Sequence, residues 1–267
     1  MTHRPPSDPI WLARSAVAAV PAGLLADLDG TLAPIVADPS TARLAERGDA
    51  ALRALAAGLA VAGIVTGRGA RDARAIVGVD EMLVVGNHGL EWLEPGAAES
   101  IPAPGLAWIG EELDRVMTTA RDALGDPSVT VEHKGLSGTI HYRMAADPAA
   151  ARVRLLDALA TLPAGIEVRE GRMSIELRPV GVGDKGSAVR QVVDRHALRG
   201  LVVLGDDVTD LDMFRAAADL RAAGRVTAAI LAVGSEGEVP PSVIAAADAV
   251  LPDPAAVVDL LEALVSG

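Results

Sequence analysis

The 267-residue chain is 50 % hydrophobic but only 2 % aromatic, carries a formal net charge of −12 and contains no cysteine. A core can be built from Ala, Val, Leu and Ile, whereas disulfides, thiolate metal sites and cysteine nucleophiles are excluded. The negative charge and the scarcity of aromatic side chains argue against binding to nucleic acid or to an anionic membrane. We expect a cytoplasmic monomer whose partner is a small molecule.

The most informative stretch is an apolar run that ends at residue 26 and is followed by Asp27, Asp29 and Gly30. An apolar run without helical period that stops in such a turn predicts a buried parallel strand. Alternate residues of a strand face the same side, so both carboxylates should project from its carboxyl end, where open α/β sheets bind ligands. Residues 1–20, which hold a Pro-rich start at Arg4–Pro9 and then a short amphipathic piece, are expected at the surface.

Short apolar runs and amphipathic segments alternate along much of the chain. The predicted helices are 41–58, 71–77, 185–196, 211–218 and 253–265, and the predicted strands are 60–65, 82–85, 201–204 and 228–233. Strands that alternate with helices and end in polar, Gly-containing loops are typical of a parallel, doubly wound sheet. The sequence therefore predicts an α/β fold with a Rossmann-like core.

A stretch rich in Pro, Ala and Gly at 94–105 interrupts this alternation and predicts a linker. The order then becomes helix, hairpin, helix, hairpin, which predicts a small antiparallel sheet backed by two helices. The helices are expected at 108–124 and 148–162, and the strands at 129–133, 139–144, 166–169 and 173–178. We predict a core formed by 1–105 and 180–267, and an inserted α/β domain at 106–179.

The spacing of the carboxylates predicts metal-assisted chemistry. A carboxylate that attacks a phosphate dianion meets a repulsion of about 4 kcal/mol per charge pair, at about 4 Å and an effective dielectric of about 20. A Mg²⁺ ion would offset that repulsion, and a second carboxylate, Asp29, would then serve as general acid and base. The predicted metal ligands are Asp27, Asp29 through a nearby backbone carbonyl, Asp206, Asp207 and Asp210.

A structural alternative exists for these acids. Asp27 and Asp29 would suit a turn, and the acids between residues 206 and 212 would suit a solvated helix start. The recurrence of polar residues after other predicted strands, at Thr66, Asn87 and Asp206, favours a site at one sheet edge.

Lys185 opens a predicted helix, and the N-terminus of a helix favours anions. We predict that it holds a phosphate group, with an ordinary surface lysine as the alternative. The segment Gly181–Gly186 also matches the dinucleotide fingerprint G-x-G-x-x-G. That fingerprint belongs after the first strand of its fold, whereas here it lies late in the chain, which disfavours nucleotide binding.

The two predicted hairpins of the insertion are rich in hydrogen-bonding side chains, which suit sugar hydroxyls. Alternating polar residues are equally typical of the solvated face of a strand. The candidates are Glu132, His133, Lys134, Ser137, His141, Arg143, Glu176 and Arg178.

The order of Asp27-Leu28-Asp29-Gly30-Thr31, Thr66, Lys185 and Gly205-Asp206-Asp207 resembles that of the haloacid-dehalogenase superfamily of phosphohydrolases. Within that superfamily the sequence resembles the trehalose-6-phosphate phosphatases more specifically, and this resemblance extends from about residue 24 to 214. It is carried by Thr66-Gly67-Arg68, Asn87-His88-Gly89, Glu132-His133-Lys134-x-x-Ser137, His141-Tyr142-Arg143, Glu176-Leu177-Arg178-Pro179 and Gly205-Asp206-Asp207-x-Thr209-Asp210.

The resemblance implies that Asp27 is a nucleophile forming an aspartyl-phosphate, Asp29 the general acid and base, and Thr66 and Lys185 the phosphate holders. Asp206 would complete a magnesium site. The insertion would be a cap whose contacts with trehalose come from Glu132, Lys134, Ser137, His141, Arg143 and Glu176, with Arg178 a further candidate. Arg68, Asn87 and His88 would contribute substrate contacts where core and cap meet.

One position departs from the family pattern, because Leu211 stands where a glutamate usually follows Thr-Asp. The leading hypothesis is a phosphatase for a small-molecule sugar phosphate, trehalose 6-phosphate. Alternatives are a phosphatase for sucrose 6-phosphate or mannosyl-3-phosphoglycerate, and an inactive ligand-sensing domain.

Overall fold

The computed structural model describes residues 8–36, 38–103, 105–133, 136–171, 173–180, 184–235 and 239–266. These residues form two compact units. The first comprises the described residues of Met1–Ser100 and Gly183–Gly267, and the second those of Ile101–Val182. The predicted insertion, 106–179, lies within the second unit.

Strands and helices follow one another through both units. The strands are β1 (Ala22–Ala26), β2 (Val61–Val65), β3 (Leu83–Gly86), β4 (Glu91–Leu93), β5 (Ile101–Pro102), β6 (Thr130–His133), β7 (Gly138–His141), β8 (Ile166–Gly171), β9 (Ser174–Pro179), β10 (Gly200–Gly205), β11 (Thr227–Val233) and β12 (Ala249–Leu251). The helices are α1 (Pro9–Val17), α2 (Gly48–Gly58), α3 (Ala70–Val77), α4 (Ile109–Leu124), α5 (Pro148–Ala158), α6 (Lys185–Arg195), α7 (Leu211–Ala222), α8 (Pro241–Ala246) and α9 (Pro254–Val265). None of these described helices is both long and apolar enough to cross a membrane.

The first unit is built around a sheet in which the strands lie in the order β12-β11-β10-β1-β2-β3-β4. Neighbouring strands are parallel except β3 and β4, which are antiparallel. Moving from β1, the chain adds β2 and β3 on one side and later β10, β11 and β12 on the other. The strand order therefore switches between β1 and β10, as expected for the predicted doubly wound core, which is confirmed.

All five residues of β1 are buried, which explains its uninterrupted apolar sequence, because a central parallel strand is covered on both faces. Asp27 continues the alignment with β10, since its backbone N–H donates to the carbonyl of Leu204 at 3.0 Å. Leu28 then points into the hydrophobic core and is fully buried. This one apolar residue between two carboxylates anchors the turn that carries them.

Two sequence-based expectations for the core were wrong, and three short elements were not predicted. Residues 1–20 were expected at the surface. Residues 1–7 lie outside the described residues, but α1 contacts β10, β11 and α9 and buries Ala13 and Ala16 completely. The predicted helix 41–58 begins only at Gly48, because Arg47 adopts a left-handed backbone with φ 70°. The short elements β4, α8 and β12 lie where no regular element was predicted, since three to six residues carry too little periodicity.

The second unit contains an antiparallel sheet in the order β6-β7-β9-β8, together with α4 and α5. Its apolar face includes Ile140, Ile175 and Leu177, all fully buried, and α4 contacts β6, β7 and β9. The register places Glu132, Thr139 and Glu176 side by side on the opposite, polar face. The predicted antiparallel sheet with two helices is confirmed.

The position of Leu28 predicts a large packing effect close to the site. Leu28→Ala should lower the free energy of unfolding by about 2 to 5 kcal/mol, because it removes buried methyl groups and leaves a cavity. Leu28→Met, which nearly conserves volume, should cost less than about 1.5 kcal/mol. Urea unfolding of both variants measures the difference. A Leu28→Ala variant as stable as the Leu28→Met variant would contradict the anchoring role.

Candidate active site

Three carboxylates converge where the strand order switches. Asp27 follows β1, Asp206 follows the adjacent β10, and Asp210 ends a short 3₁₀ turn, Val208–Asp210. One carboxylate oxygen from each lies within 4.8 Å of the others. Adjacent parallel strands end at the same sheet edge, so residues far apart in sequence meet there.

Lys185 supplies a positive charge inside this cluster. Its Nζ lies 3.0 Å from Asp27 Oδ1 and 2.6 Å from Asp210 Oδ1, and its side chain is only 2 % exposed. Lys185 is the first residue of α6, which is capped by the Asp184 carboxylate. A Cβ at Gly186 would overlap the carbonyl oxygen of Asp212, so a glycine is needed for this close approach to α7.

Asp210 is fixed on both sides of its carboxylate. Its Oδ1 accepts from Lys185, while Oδ2 accepts from the backbone N–H groups of Asp206 at 2.9 Å and Asp207 at 3.1 Å. A Cβ at Gly205 would stand only 2.5 Å from the Asp210 Cβ. Asp210 thus holds the turn that presents Asp206.

The five predicted metal ligands do not all converge through their side chains. The carboxylate of Asp207 instead accepts from the N–H of Val208 at 2.6 Å. The carboxylate of Asp29 pairs with Arg68. The next residue after Asp210, Leu211, is buried at the start of α7.

Burial sets the protonation of the cluster. It raises the pKa of Asp27 to about 7, helped by the Asp210 charge and opposed by Lys185. It also raises the pKa of Asp206 to about 6, although Thr31 Oγ1 donates to Asp206 at 2.8 Å. Burial alone would lower the pKa of Lys185, but the charges of Asp27 and Asp210 outweigh it and raise the pKa.

The donor set fits a divalent cation. Three buried or half-buried carboxylates surround one ammonium, so full ionisation leaves two negative charges in excess. Carboxylate oxygens are the ligands that hard cations such as Mg²⁺ prefer. Gly30, with φ 85°, keeps the space beside Asp206 open, because a Cβ there would overlap Asp206 Oδ2. Asp27 and Asp206 are the residues best placed to hold such an ion.

Asp29 is held by Arg68 through two parallel hydrogen bonds. Arg68 Nε donates to Asp29 Oδ2 at 2.6 Å and Nη2 donates to Oδ1 at 2.7 Å. These bonds raise the pKa of the Arg68 guanidinium. The backbone N–H of Arg68 donates to Thr66 Oγ1 at 3.2 Å, and Thr66 is 1 % exposed. Thr66 and Arg68 thus form one turn that faces Asp29.

Asn87 and His88 lie in a short left-handed turn beside the Thr66–Arg68 turn. Both have positive φ, 48° and 58°. The Asn87 N–H donates to the Arg68 carbonyl and the His88 N–H to the Thr66 carbonyl, each at 2.8 Å. A Cβ on Gly67 would stand 2.7 Å from the His88 ring, so the ring lies directly against this turn.

The predicted residues of the second unit have mixed surroundings. Glu132 Oε2 and His141 Nε2 lie 3.0 Å apart, and Arg178 Nε donates to Glu167 at 2.7 Å. Ser137 is buried, and His133 pairs with Asp114 at 2.5 Å. Arg143 is exposed and Glu176 half-buried. Lys134 lies outside the described residues.

Two residues that contribute to the site were not predicted from the sequence. Thr31, inside the Asp-x-Asp-Gly-Thr stretch, donates to Asp206. Glu91, at the start of β4, accepts from Asn87 Nδ2 and from the Ala70 N–H, both at 2.8 Å. The short spacing between Asn87 and Glu91 could have indicated a contact between their side chains. Glu91 was missed because the strand that positions it, β4, was not predicted.

A doubly wound core with carboxylates at its switch point and an additional α/β unit defines the haloacid-dehalogenase-like fold. A haloacid dehalogenase-like hydrolase from Bacteroides thetaiotaomicron shares this fold, with a TM-score of 0.63 at 16 % identity over 90 % of this chain and 98 % of that one.

The chain belongs to the trehalose-phosphatase family, whose model matches residues 25–240. A trehalose-phosphate phosphatase of Mycobacterium marinum is 37 % identical over 204 residues, which cover 71 % of this chain and 50 % of that protein. The structure of Aspergillus fumigatus trehalose-6-phosphate phosphatase matches with a TM-score of 0.67 at 26 % identity, over 96 % of this chain and 97 % of that one. The chain spans about half the length, or less, of the curated relatives it matches.

The raised pKa values predict that protons compete with a divalent cation. Below about pH 7, Asp27 and then Asp206 take up protons, so the apparent affinity for Mg²⁺ should fall by about tenfold or more between about pH 8 and about pH 5.5. Isothermal titration calorimetry measures this affinity. Asp206→Asn should weaken binding at the higher pH, whereas Asp207→Asn should leave it nearly unchanged. Affinity independent of pH, or equal losses in the two variants, would contradict the assignment.

Proposed function

We propose that the chain is a magnesium-dependent phosphatase that hydrolyses trehalose 6-phosphate to trehalose and phosphate. The observation that carries the proposal is the cluster of Asp27, Asp206 and Lys185 at the switch point of a trehalose-phosphatase family core. The substrate is suggested by the names of relatives in bacteria and fungi.

In the first step, a carboxylate oxygen of Asp27 attacks phosphorus and the bond from phosphorus to the sugar oxygen breaks. The product is an aspartyl-phosphate, and the sugar oxygen leaves with a proton from Asp29. Lys185, already bound to Asp27 Oδ1, keeps that carboxylate oriented and supplies positive charge beside the phosphoryl group. Thr66, at the end of β2, offers a hydroxyl for a phosphate oxygen.

In the second step, water attacks the phosphorus of the aspartyl-phosphate. Asp29 takes the proton of this water, the bond from phosphorus to Asp27 breaks, and phosphate leaves. Asp29 must carry a proton in one step and accept one in the other. Arg68 donates to one lone pair on each oxygen of Asp29, which orients the carboxylate and leaves its other lone pairs for the proton that each step moves.

A divalent cation, when bound, would favour the ionised form of Asp27 and offset the repulsion between its carboxylate and the phosphate. That need is large here because burial raises the pKa of Asp27 to about 7. The all-carboxylate donor set suits magnesium, which selects oxygen ligands.

The polar face of the second unit supports a carbohydrate substrate. Glu132, Thr139 and Glu176 are adjacent on three neighbouring strands, and Glu132 is paired with His141. Carboxylates accept hydrogen bonds from sugar hydroxyls, so such a row suits a molecule with many hydroxyl groups. Glu132, Lys134, Ser137, His141, Arg143, Glu176 and Arg178 remain candidates for contacts with trehalose.

A panel of sugar phosphates tests the substrate. With magnesium present, phosphate release from trehalose 6-phosphate should exceed that from glucose 6-phosphate, sucrose 6-phosphate and mannosyl-3-phosphoglycerate by about 10²-fold or more in kcat/KM, because a site that hydrogen-bonds specific hydroxyls rejects analogues lacking them. Chelation should stop release and added magnesium restore it. Equal release from glucose 6-phosphate would contradict the substrate assignment.

Asp27→Asn distinguishes the enzyme from a ligand-sensing domain. The amide is nearly isosteric but a poor nucleophile, so turnover should fall by about 10³-fold or more, while trehalose 6-phosphate should still bind. A phosphate-release assay measures turnover, and isothermal titration calorimetry measures the binding of trehalose 6-phosphate. Binding without turnover in the unaltered protein would support the sensor instead.

A further inference from the structure

Glu91 joins three separate segments of the first unit through one carboxylate. Its Oε1 accepts from Asn87 Nδ2 and from the Ala70 N–H, and its Oε2 accepts from Ser100 Oγ, each at 2.8 Å. The side chain is half-buried at the start of β4. Hydrogen bonds to an ionised carboxylate are shorter and stronger than those between neutral groups, so this contact set is stiff.

The bond to Ala70 completes the start of α3. Gly69 precedes this helix and has no side chain with which to cap it. The Glu91 carboxylate accepts from the first N–H of the helix, where a negative charge is also favoured by the helix dipole. Since α3 begins two residues after Arg68, this bond fixes the end of the turn that carries Thr66 and Arg68.

The bond to Asn87 fixes the neighbouring turn. Asn87 has a positive φ of 48° and its N–H donates to the Arg68 carbonyl. Glu91 therefore binds both sides of the contact between Asn87 and Arg68. It accepts from the Asn87 side chain and from the first N–H of α3, the helix that follows Arg68. Arg68 in turn holds Asp29.

We propose that Glu91 is a positioning residue, which fixes Asn87 and the first turn of α3 and thereby the Thr66–Arg68 turn that faces Asp29. The inference rests on the proposed function, because it assumes that Asn87 and Arg68 serve a sugar-phosphate substrate. Glu91 itself acts only through these neighbours.

A double-mutant cycle in the full, magnesium-loaded chain tests the coupling. Glu91→Ala should raise KM for trehalose 6-phosphate about tenfold, as expected for the loss of charge-assisted hydrogen bonds, with a smaller change in kcat. In the Asn87→Ala background the same substitution should raise KM by only about threefold, because the contact with Asn87 is already lost and only the contact with α3 remains to be removed. The proposal would be overturned if the fold-change in KM of the double variant equalled the product of the two single-variant fold-changes. An unchanged KM in Glu91→Ala would overturn it as well.

Two single variants serve as controls. Glu91→Gln keeps an acceptor oxygen for Asn87 and Ala70 and should rescue KM to within about threefold of the unaltered chain. Ser100→Ala removes only the bond to Oε2 and should leave KM unchanged. If Glu91→Ala does not fold, Glu91→Met, which fills the volume without accepting hydrogen bonds, takes its place in the cycle.

Hydrogen exchange followed by mass spectrometry separates this inference from the proposed function. Peptides covering residues 66–71 and 87–90 should exchange faster in Glu91→Ala, and at the rate of the unaltered chain in Ser100→Ala. This readout needs no turnover, so it decides the positioning role even if trehalose 6-phosphate is not hydrolysed. Unchanged exchange in Glu91→Ala would overturn the proposal, whereas inactivity of the unaltered chain would overturn only the function.

Discussion

The ion pairs of Lys185 with Asp27 and Asp210 are the interaction on which the site depends. They connect the end of β1, the start of α6 and the turn after β10, three segments that no continuous element joins. Removing such charges from water costs several kcal/mol per ion, and the cost is offset only by good geometry and further hydrogen bonds. Asp210 meets that condition through two backbone donors, whereas Asp27 and Asp206 keep raised pKa values. The charge that remains uncompensated is what makes the cluster suitable for a cation.

The close approach of the chain segments that carry the charged side chains requires glycine at three positions. At Gly30, Gly186 and Gly205, a Cβ would overlap Asp206, the Asp212 carbonyl and Asp210, respectively. Each glycine thus removes a side chain where two charged segments approach. Gly30 also has φ 85°, a backbone conformation that other residues adopt only with strain. A larger residue at any of the three positions would force the contacting atoms to shift.

Much of this arrangement follows from the sequence, because strand order determines which loops meet. Asp27, Thr66, Asn87 and Asp206 were predicted at one sheet edge, and Lys185 was predicted to hold a phosphate at the start of a helix. The structure places Asp27, Asp206 and Lys185 together. The sequence did not distinguish Asp207 from Asp210. Both follow β10 within five residues, and only the 3₁₀ turn makes Asp210 point back to the cluster while Asp207 caps the turn. Glu91 was missed for a related reason, since its partners come from α3 and from residue 100, and a three-residue strand positions it.

Arg68 shows why a residue's resting contact and its proposed role need not coincide. The resemblance assigned it to the substrate, while the structure pairs it with Asp29 at 2.6 Å and 2.7 Å. A carboxylate offers about four lone-pair positions, and a guanidinium that donates to both oxygens occupies only two of them, so Arg68 orients Asp29 without blocking every position for a proton. Phosphate oxygens match the fork of a guanidinium as well as carboxylate oxygens do. An arriving phosphate group would therefore compete with Asp29 for Arg68, which is how a side chain that holds a carboxylate in this structure could also contact the substrate.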